Sequence, residues 1–182
     1  MAVDSGPKDQ LNGHAIEIYF YPYSFHRSVV RMEAEVLQVK GGTFIGRCDS
    51  KHWMVFDSPE SVGGSNSGPT PMEAVLMSMG ACTGIDLGSL FRKMQVDYDR
   101  LEIRLSAKRA EEHPKMFTEV EIRYIITGEN VDEDKVRKAI GLSMDTYCSV
   151  THMVKKAAKV SYSIAFVKSH VSPVTQAPAP PA

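Results

Sequence analysis

The fold is decided by residues 70–94, TPMEAVLMSMGACTGIDLGSLFRKM. Thr70, Pro71 and Glu73 have the form of a capping box: a hydroxyl cap, a proline at the first helical position and a carboxylate three residues after the cap. The pattern predicts a helix that ends at about Met94 and is roughly 24 residues, or about 36 Å, long. Because its first half is apolar on most faces, we expect this helix to be buried.

Three glycines inside the helix share one face. Gly80, Gly84 and Gly88 are separated by four residues each and therefore form one stripe. Each glycine weakens a helix by up to about 1 kcal/mol relative to alanine, so a close contact should compensate. The stripe predicts that another backbone, in a tight helix contact, packs against this face.

Alternating apolar and polar residues on both sides of the helix predict strands. Gly41 and Gly42 make a turn inside a predicted meander, and residues 111–116, EEHPKM, connect a predicted antiparallel hairpin. A second helix follows Asp132, and a short helix follows Cys148. The predicted strands cover residues 32–40, 43–47, 53–56, 101–105, 120–126 and 160–167. This order of elements indicates an α+β domain.

Composition and the chain ends bound the class of protein. Lys and Arg number 21 against 22 Asp and Glu, so no basic field points to nucleic acid. No apolar run reaches about 18 residues without interruption, so we predict no membrane span. The N-terminal residues do not have the pattern of a signal or transit peptide, so we expect a cytoplasmic protein. Residues 1–31 are predicted to be an extension with a strand at 14–23. The domain covers 32–168, and residues 169–182 form a predicted disordered Pro/Ala-rich tail.

The chain has three cysteines. This number is small, and because it is odd at least one thiol has no partner within the chain, so a disulfide-stapled secreted mini-protein is excluded. Cys82 has small neighbours that leave its sulfur accessible. Cys148 precedes a predicted helix N-terminus, whose amides and positive dipole end predict a lowered thiol pKa. Neighbouring helices could bring these two within disulfide range, but each could equally be a buried structural residue. Cys48 belongs to no motif.

Two segments together resemble a known family. GPTPMEAVLMSMGACTGID, residues 68–86, and YCSV, residues 147–150, are similar to the paired signatures of the OsmC/Ohr family, the osmotically induced and organic-hydroperoxide-resistance proteins. The resemblance covers roughly residues 32–167. It implies an intertwined homodimer in which antiparallel sheets pack around a long buried central helix. It also implies a peroxidase without metal or other cofactor, which reduces small organic hydroperoxides and is recycled by an external dithiol, such as a lipoyl group.

Carried over position by position, the resemblance assigns Cys82 as the peroxidatic cysteine and Cys148 as the resolving one. Met72, Met77 and Met79 would form an apolar wall for an alkyl hydroperoxide, because thioether side chains adapt to irregular shapes. The alternative is that these methionines belong to the core.

The sequence departs from the Ohr pattern at the two charged catalytic positions. Glu73 is one residue closer to Cys82 than the glutamate of that branch is to its cysteine. In a straight helix Glu73 would lie about 180° around the helix from Cys82 and about 13 Å from it along the axis, which makes direct contact implausible. Capping of the helix is therefore a competing role for Glu73. Thr43 stands where the arginine is expected, and Arg47 is the nearest substitute, although it could equally be a solvated strand residue. Cys148 and His152 have metal-ligand spacing, but no third ligand is nearby in sequence, so no metal site is predicted.

The leading hypothesis is therefore a two-cysteine organic hydroperoxide reductase that acts in oxidative stress defence. A second hypothesis is an OsmC-like dimer that has lost the charged activation network and binds a small apolar ligand. A cysteine hydrolase is a more distant third.

Overall fold

The structure is a computed structural model that describes residues 31–169. The strand predicted at residues 14–23 and all of the predicted tail beyond Ser169 lie outside the described residues. The elements are β1 (Ala34–Lys40), β2 (Thr43–Cys48), β3 (Trp53–Phe56), α1 (Pro71–Met94), β4 (Arg100–Arg109), β5 (Phe117–Thr127), α2 (Glu133–Leu142), α3 (Ser149–Lys155) and β6 (Lys159–Val167). A short 3₁₀ turn covers Glu60–Val62, and a π-helical turn covers Ser143–Tyr147. The predicted α+β class is confirmed.

The strands form two three-stranded sheets. Strands β1, β2 and β3 make the predicted antiparallel meander, and β4 and β5 make the predicted antiparallel hairpin. Strand β6 pairs with β5 in parallel, which the sequence pattern did not predict. A parallel pair needs a crossover connection, here the segment containing α2 and α3, and such a connection leaves no local turn signal.

The predicted capping box begins α1. The backbone N–H of Thr70 donates to Glu73 Oε2 at 2.7 Å, and the N–H of Glu73 donates to Thr70 Oγ1 at 3.3 Å. The helix ends at Met94, as predicted, and Gln95 caps it in a left-handed conformation with φ 54°. Local hydrogen bonds at both ends thus set the length of α1.

The glycine stripe of α1 faces a sheet. A Cβ at Gly80 would lie 2.7 Å from Leu105 Cδ1, and one at Gly84 would lie 3.3 Å from Ile103 Cδ1. Both leucine and isoleucine belong to β4, whereas a Cβ at Gly88 would have no neighbour within 4 Å. The prediction that a helix packs against the stripe is therefore wrong within a single chain. The space left by the missing side chains is filled by the large apolar residues of β4.

The core lies between one face of α1, the inner face of the β4–β5–β6 sheet, and α2. Alternate residues of β5 are buried against it, as the sequence alternation predicted. Fully or almost fully buried side chains of this core are Met79, Leu87, Phe91, Val120, Ile122, Tyr124, Ile126, Val136, Ile140 and Met144. Helix α1 is the long central helix that the sequence predicted, and within one chain its other side leaves Val75, Met77 and Ile85 exposed.

The β1–β2–β3 sheet has no described residue in this core. Neighbouring residues on β1 point to opposite faces of the sheet, and both Val36 and Leu37 are exposed. Trp53, Met54 and Val55 on β3 are exposed as well. Within one chain this sheet therefore leaves apolar side chains uncovered on both faces.

Helix α1 has a mean hydropathy of 1.4 over its most apolar window and is long enough to cross a membrane on that basis alone. Its contacts identify it differently. Leu87 and Phe91 are fully buried against the other elements of the domain. We therefore describe α1 as the central helix of a packed core.

Candidate active site

The structure brings together the two cysteines that the motifs single out. The Sγ atoms of Cys82 and Cys148 and a carboxylate oxygen of Asp86 all lie within 4.8 Å of one another. Cys82 and Asp86 are four residues apart on α1 and so share one helix face, while Cys148 lies at the start of α3. Both thiols are free. Asp86 was missed as a site residue, although its i,i+4 spacing from Cys82 was a usable signal.

A π-helical turn places Cys148 at this point. The turn Ser143–Tyr147 continues α2, and the N–H of Cys148 donates to the carbonyl of Ser143 at 2.9 Å. Lys155 reaches back from α3 and donates to the carbonyl of Met144 at 2.7 Å. Such turns occur frequently at functional sites.

Cys148 caps α3, but its pKa is raised. Its side chain is fully buried, and desolvation is the largest cause of the raised thiol pKa, with the neighbouring Cys82 adding to it. Hydrogen bonds to Cys148 Sγ from the hydroxyl of Thr151 at 3.0 Å and from its N–H at 3.4 Å act in the opposite direction. The predicted lowered pKa is wrong, because burial outweighs the amide and hydroxyl at this short helix. Cys82 is half-buried and is the more accessible thiol.

A row of hydroxyl groups leads from the core to Asp86. Ser143 Oγ donates to Asp86 Oδ2 at 2.9 Å, and Thr83 Oγ1 lies 2.9 Å from Ser143 Oγ and 2.9 Å from Tyr124 Oη. Each hydroxyl has one hydrogen. Since Ser143 uses its hydrogen on Asp86, Thr83 donates to Ser143 and Tyr124 donates to Thr83. The row therefore ends on Asp86 as the acceptor.

The three hydroxyls of this row are neutral at physiological pH. Thr83, Ser143 and Tyr124 are all buried, and desolvation raises the pKa of Tyr124 to about 12. Tyr124 Oη also lies 3.4 Å from Met144 Sδ. At neutral pH the three hydroxyls are neutral, and they hold the Asp86 carboxylate in one orientation beside the thiols.

The two charged candidates, Glu73 and Arg47, form their hydrogen bonds within the chain with residues other than the cysteines. Glu73 Oε2 accepts from the N–H of Thr70 at 2.7 Å and from its hydroxyl at 2.8 Å, and these bonds lower the Glu73 pKa. Arg47 Nε donates to Glu35 Oε2 at 2.7 Å, and its guanidinium lies 4.8 Å from the centroid of the Trp53 ring. The catalytic roles of both remain predictions, and the capping role of Glu73 is established.

The remaining candidates divide between core and surface. Met79 is a core residue, Met72 packs against the core, and Met77 is exposed. Cys48 is exposed at the end of β2, and His152 is exposed on α3. Among residues 31–169, the third potential ligand beside the two thiols is Asp86 rather than His152.

Comparisons with known proteins identify relatives of this chain. A family model described as OsmC-like protein matches residues 64–163, more than half of the chain. The Escherichia coli K12 protein YhfA is 36% identical over 132 residues, which cover 72% of this chain and 96% of YhfA. A hypothetical protein from Aquifex aeolicus VF5, whose crystal structure is known, is 30% identical in sequence. The structural match covers 76% of this chain and 98% of the Aquifex chain, with a TM-score of 0.65.

A more distant structure shares the fold alone. The organic hydroperoxide resistance protein OsmC from Legionella pneumophila is 10% identical, covers 76% of this chain and 99% of its own, and has a TM-score of 0.57. The family match over residues 64–163 and the 36% identity with YhfA show that the chain belongs to the OsmC-like family.

Proposed function

We propose that the protein reduces organic hydroperoxides by a two-cysteine mechanism, with Cys82 as the attacking thiol and Cys148 as the resolving thiol. One observation carries this proposal: the two sulfurs lie within 4.8 Å of each other although 66 positions (148 − 82) separate them in the sequence. A disulfide needs sulfurs about 2.05 Å apart. A movement of less than about 3 Å at the sulfurs would therefore close the bond.

The proposed chemistry balances without a bound cofactor. The Cys82 thiolate attacks one peroxide oxygen, the O–O bond breaks, and the departing alkoxide takes a proton to become an alcohol. Cys82 is then a sulfenic acid. The Cys148 sulfur attacks it, a disulfide forms, and hydroxide leaves with a proton as water. The sum converts one hydroperoxide and two thiols into one alcohol, one water and one disulfide, and an external dithiol, such as a lipoyl group, reduces that disulfide.

The two environments fit this division of labour. Cys82 is the accessible thiol, so a peroxide can reach it, whereas Cys148 is fully buried. The raised pKa of Cys148 favours a thiol that waits until Cys82 is oxidised. A transient disulfide of this kind suits a reducing compartment, and we therefore propose a cytoplasmic location.

Peroxide titration of single cysteine variants tests the mechanism. We expect the native protein to consume an alkyl hydroperoxide with a dithiol, and one equivalent of peroxide without the dithiol to remove two hydrogens from its intact mass. Cys82→Ser should abolish turnover, and Cys148→Ser should accumulate a sulfenic acid that dimedone traps. Cys48→Ser is the matched control and should retain turnover. Undiminished turnover in Cys82→Ser would refute the proposal.

An apolar cavity favours ligand binding as the second candidate function. The cavity has a volume of about 460 Å³ and lies between the β1–β2–β3 sheet and the start of α1. Its lining residues are Val36, Gly42, Phe44, Phe56, Asp57, Ser58 and Pro71. Cavities of this size suit small organic ligands. A folded protein whose mass stays unchanged after peroxide treatment would favour binding over catalysis.

We also propose that the protein is a homodimer. Apolar side chains of β1 and β3, together with Ile85 at 75% exposure on the outer face of α1, are exposed in one chain, and exposed apolar patches mark sites of association. Light scattering coupled to size-exclusion chromatography should give twice the chain mass. Ile85→Glu should weaken the dimer, whereas Met116→Glu, at an exposed site between β4 and β5, should leave it intact. A monomeric native protein at micromolar concentration would contradict this proposal.

A further inference from the structure

We propose that Cys82, Asp86 and Cys148 form a site for a soft divalent metal ion, with zinc the best match, which the reduced protein binds and the disulfide form releases. The binding half is independent of the proposed peroxidase activity. The release half depends only on formation of the Cys82–Cys148 disulfide.

The donor atoms are already close to the spacing that zinc requires. Two sulfurs and one carboxylate oxygen lie within 4.8 Å of one another. In a tetrahedral site with Zn–S near 2.3 Å, two sulfur ligands are about 3.8 Å apart. Each donor would therefore shift by about 1 Å or less to close around the ion. Three protein ligands with an open fourth position are a recurrent zinc arrangement, and the partial exposure of Cys82 supplies an approach for the ion and for water.

Hydrogen bonds already hold two of the three donors. Ser143 Oγ donates to one oxygen of the Asp86 carboxylate, and Asp86 has no other hydrogen-bond or ion-pair partner in the part of the chain that the structure describes. The N–H and hydroxyl of Thr151 both point to Cys148 Sγ. Metal ligands are commonly oriented by such outer partners, so the shell that a zinc site needs is in place.

The charge balance also favours a cation. Two thiols and a carboxylate become up to three negative charges when deprotonated. Within residues 31–169, the ion pairs of Lys and Arg are made with other acids, and none is made with Asp86. A divalent ion displaces the protons of thiol ligands as it binds, and its positive charge then offsets the charge of the thiolates and the carboxylate.

Zinc competition against a chromophoric chelator tests the site. We expect the reduced full-length protein to take one zinc per chain from the chelator, and cobalt to give intense near-ultraviolet thiolate absorption. Cys82→Ser and Cys148→Ser should lose the tight site. Ser143→Ala should weaken zinc binding about 10- to 100-fold, because it removes the group that orients Asp86. Cys48→Ser is the matched control and should bind one zinc as before.

Asp86→Asn separates a three-ligand site from binding by two thiols alone. The substitution keeps the side-chain size, and near-ultraviolet circular dichroism of each variant checks its fold. Unchanged zinc affinity in folded Asp86→Asn, or a native protein that leaves the chelator's zinc in place, would overturn the proposal. Diamide forms disulfides without peroxide and should release the zinc, and retained zinc in the disulfide form would overturn the release half.

The two proposals fail separately in this design. Zinc binding by a protein that does not turn over peroxide leaves the metal site standing and removes the peroxidase. Peroxide turnover by a chain that does not bind zinc does the reverse.

Discussion

Thr83→Val tests the hydroxyl row that supports the candidate site. Thr83 is fully buried, and its hydroxyl contacts Ser143 Oγ and Tyr124 Oη at 2.9 Å each. Valine has nearly the same shape but makes neither hydrogen bond. Two intramolecular hydrogen bonds at about 0.5–1.5 kcal/mol each are lost, a total of about 1–3 kcal/mol.

The remaining contacts narrow the expected range. After the substitution, Ser143 still donates to Asp86, and Tyr124 Oη still has Met144 Sδ at 3.4 Å. Because neither hydroxyl is left entirely without a partner, we expect a loss near the middle of the range, about 2 kcal/mol in the free energy of unfolding. With a urea m-value of about 2 kcal/mol/M, the midpoint should fall by about 1 M.

Urea unfolding followed by circular dichroism, at one fixed protein concentration, measures this shift. Thr118→Val is the matched control, because Thr118 is exposed and its hydroxyl bond to the Lys108 carbonyl is long, at 3.3 Å. The control should change stability by less than about 0.5 kcal/mol. A double-mutant cycle with Tyr124→Phe should give a coupling of about 1 kcal/mol. If Thr83→Val lowers the urea midpoint no more than Thr118→Val does, the conclusion that the hydroxyl row stabilises the fold is refuted.

Three further substitutions test other parts of the fold. Thr70→Ala removes the helix cap and should lower the free energy of unfolding by about 1 kcal/mol, with Thr70→Ser as control; equal thermal midpoints for the two would contradict the capping role. Ile122→Ala opens the fully buried centre of β5 and should cost about 2–5 kcal/mol by urea unfolding, so a loss below about 1 kcal/mol would be inconsistent with its packing. The pKa of Asp57 is lowered to about 2, and the hydrogen bond from the N–H of Ser67 is the largest cause. The ionised Asp57 therefore stabilises the folded state above its unfolded pKa of 3.8, and this contribution is lost as the pH falls through the folded value. The native protein should therefore lose more stability between about pH 4 and pH 2 than Asp57→Asn does, and parallel acid-unfolding curves would argue against this assignment.

Elements that depend on near neighbours could be predicted from the sequence. Thr70 and Glu73 set the start of α1 because capping partners are three residues apart. The alternation in β4 and β5 indicated strands with one buried face, because side chains alternate across any strand. The family motifs added the two cysteines and their proposed order of reaction. In each case the relevant atoms lie close together along the chain, or in a short motif.

The tertiary structure alone decided what surrounds those residues. It turned the glycine stripe towards Ile103 and Leu105, paired β6 with β5 in parallel, and buried Cys148 so deeply that its pKa rises instead of falling. It also placed Asp86 beside both sulfurs. These features depend on contacts between residues far apart in the chain, where desolvation and packing outweigh local propensity. The sequence by itself determined which thiols to examine, and packing determined their ionisation, their separation and the carboxylate that accompanies them.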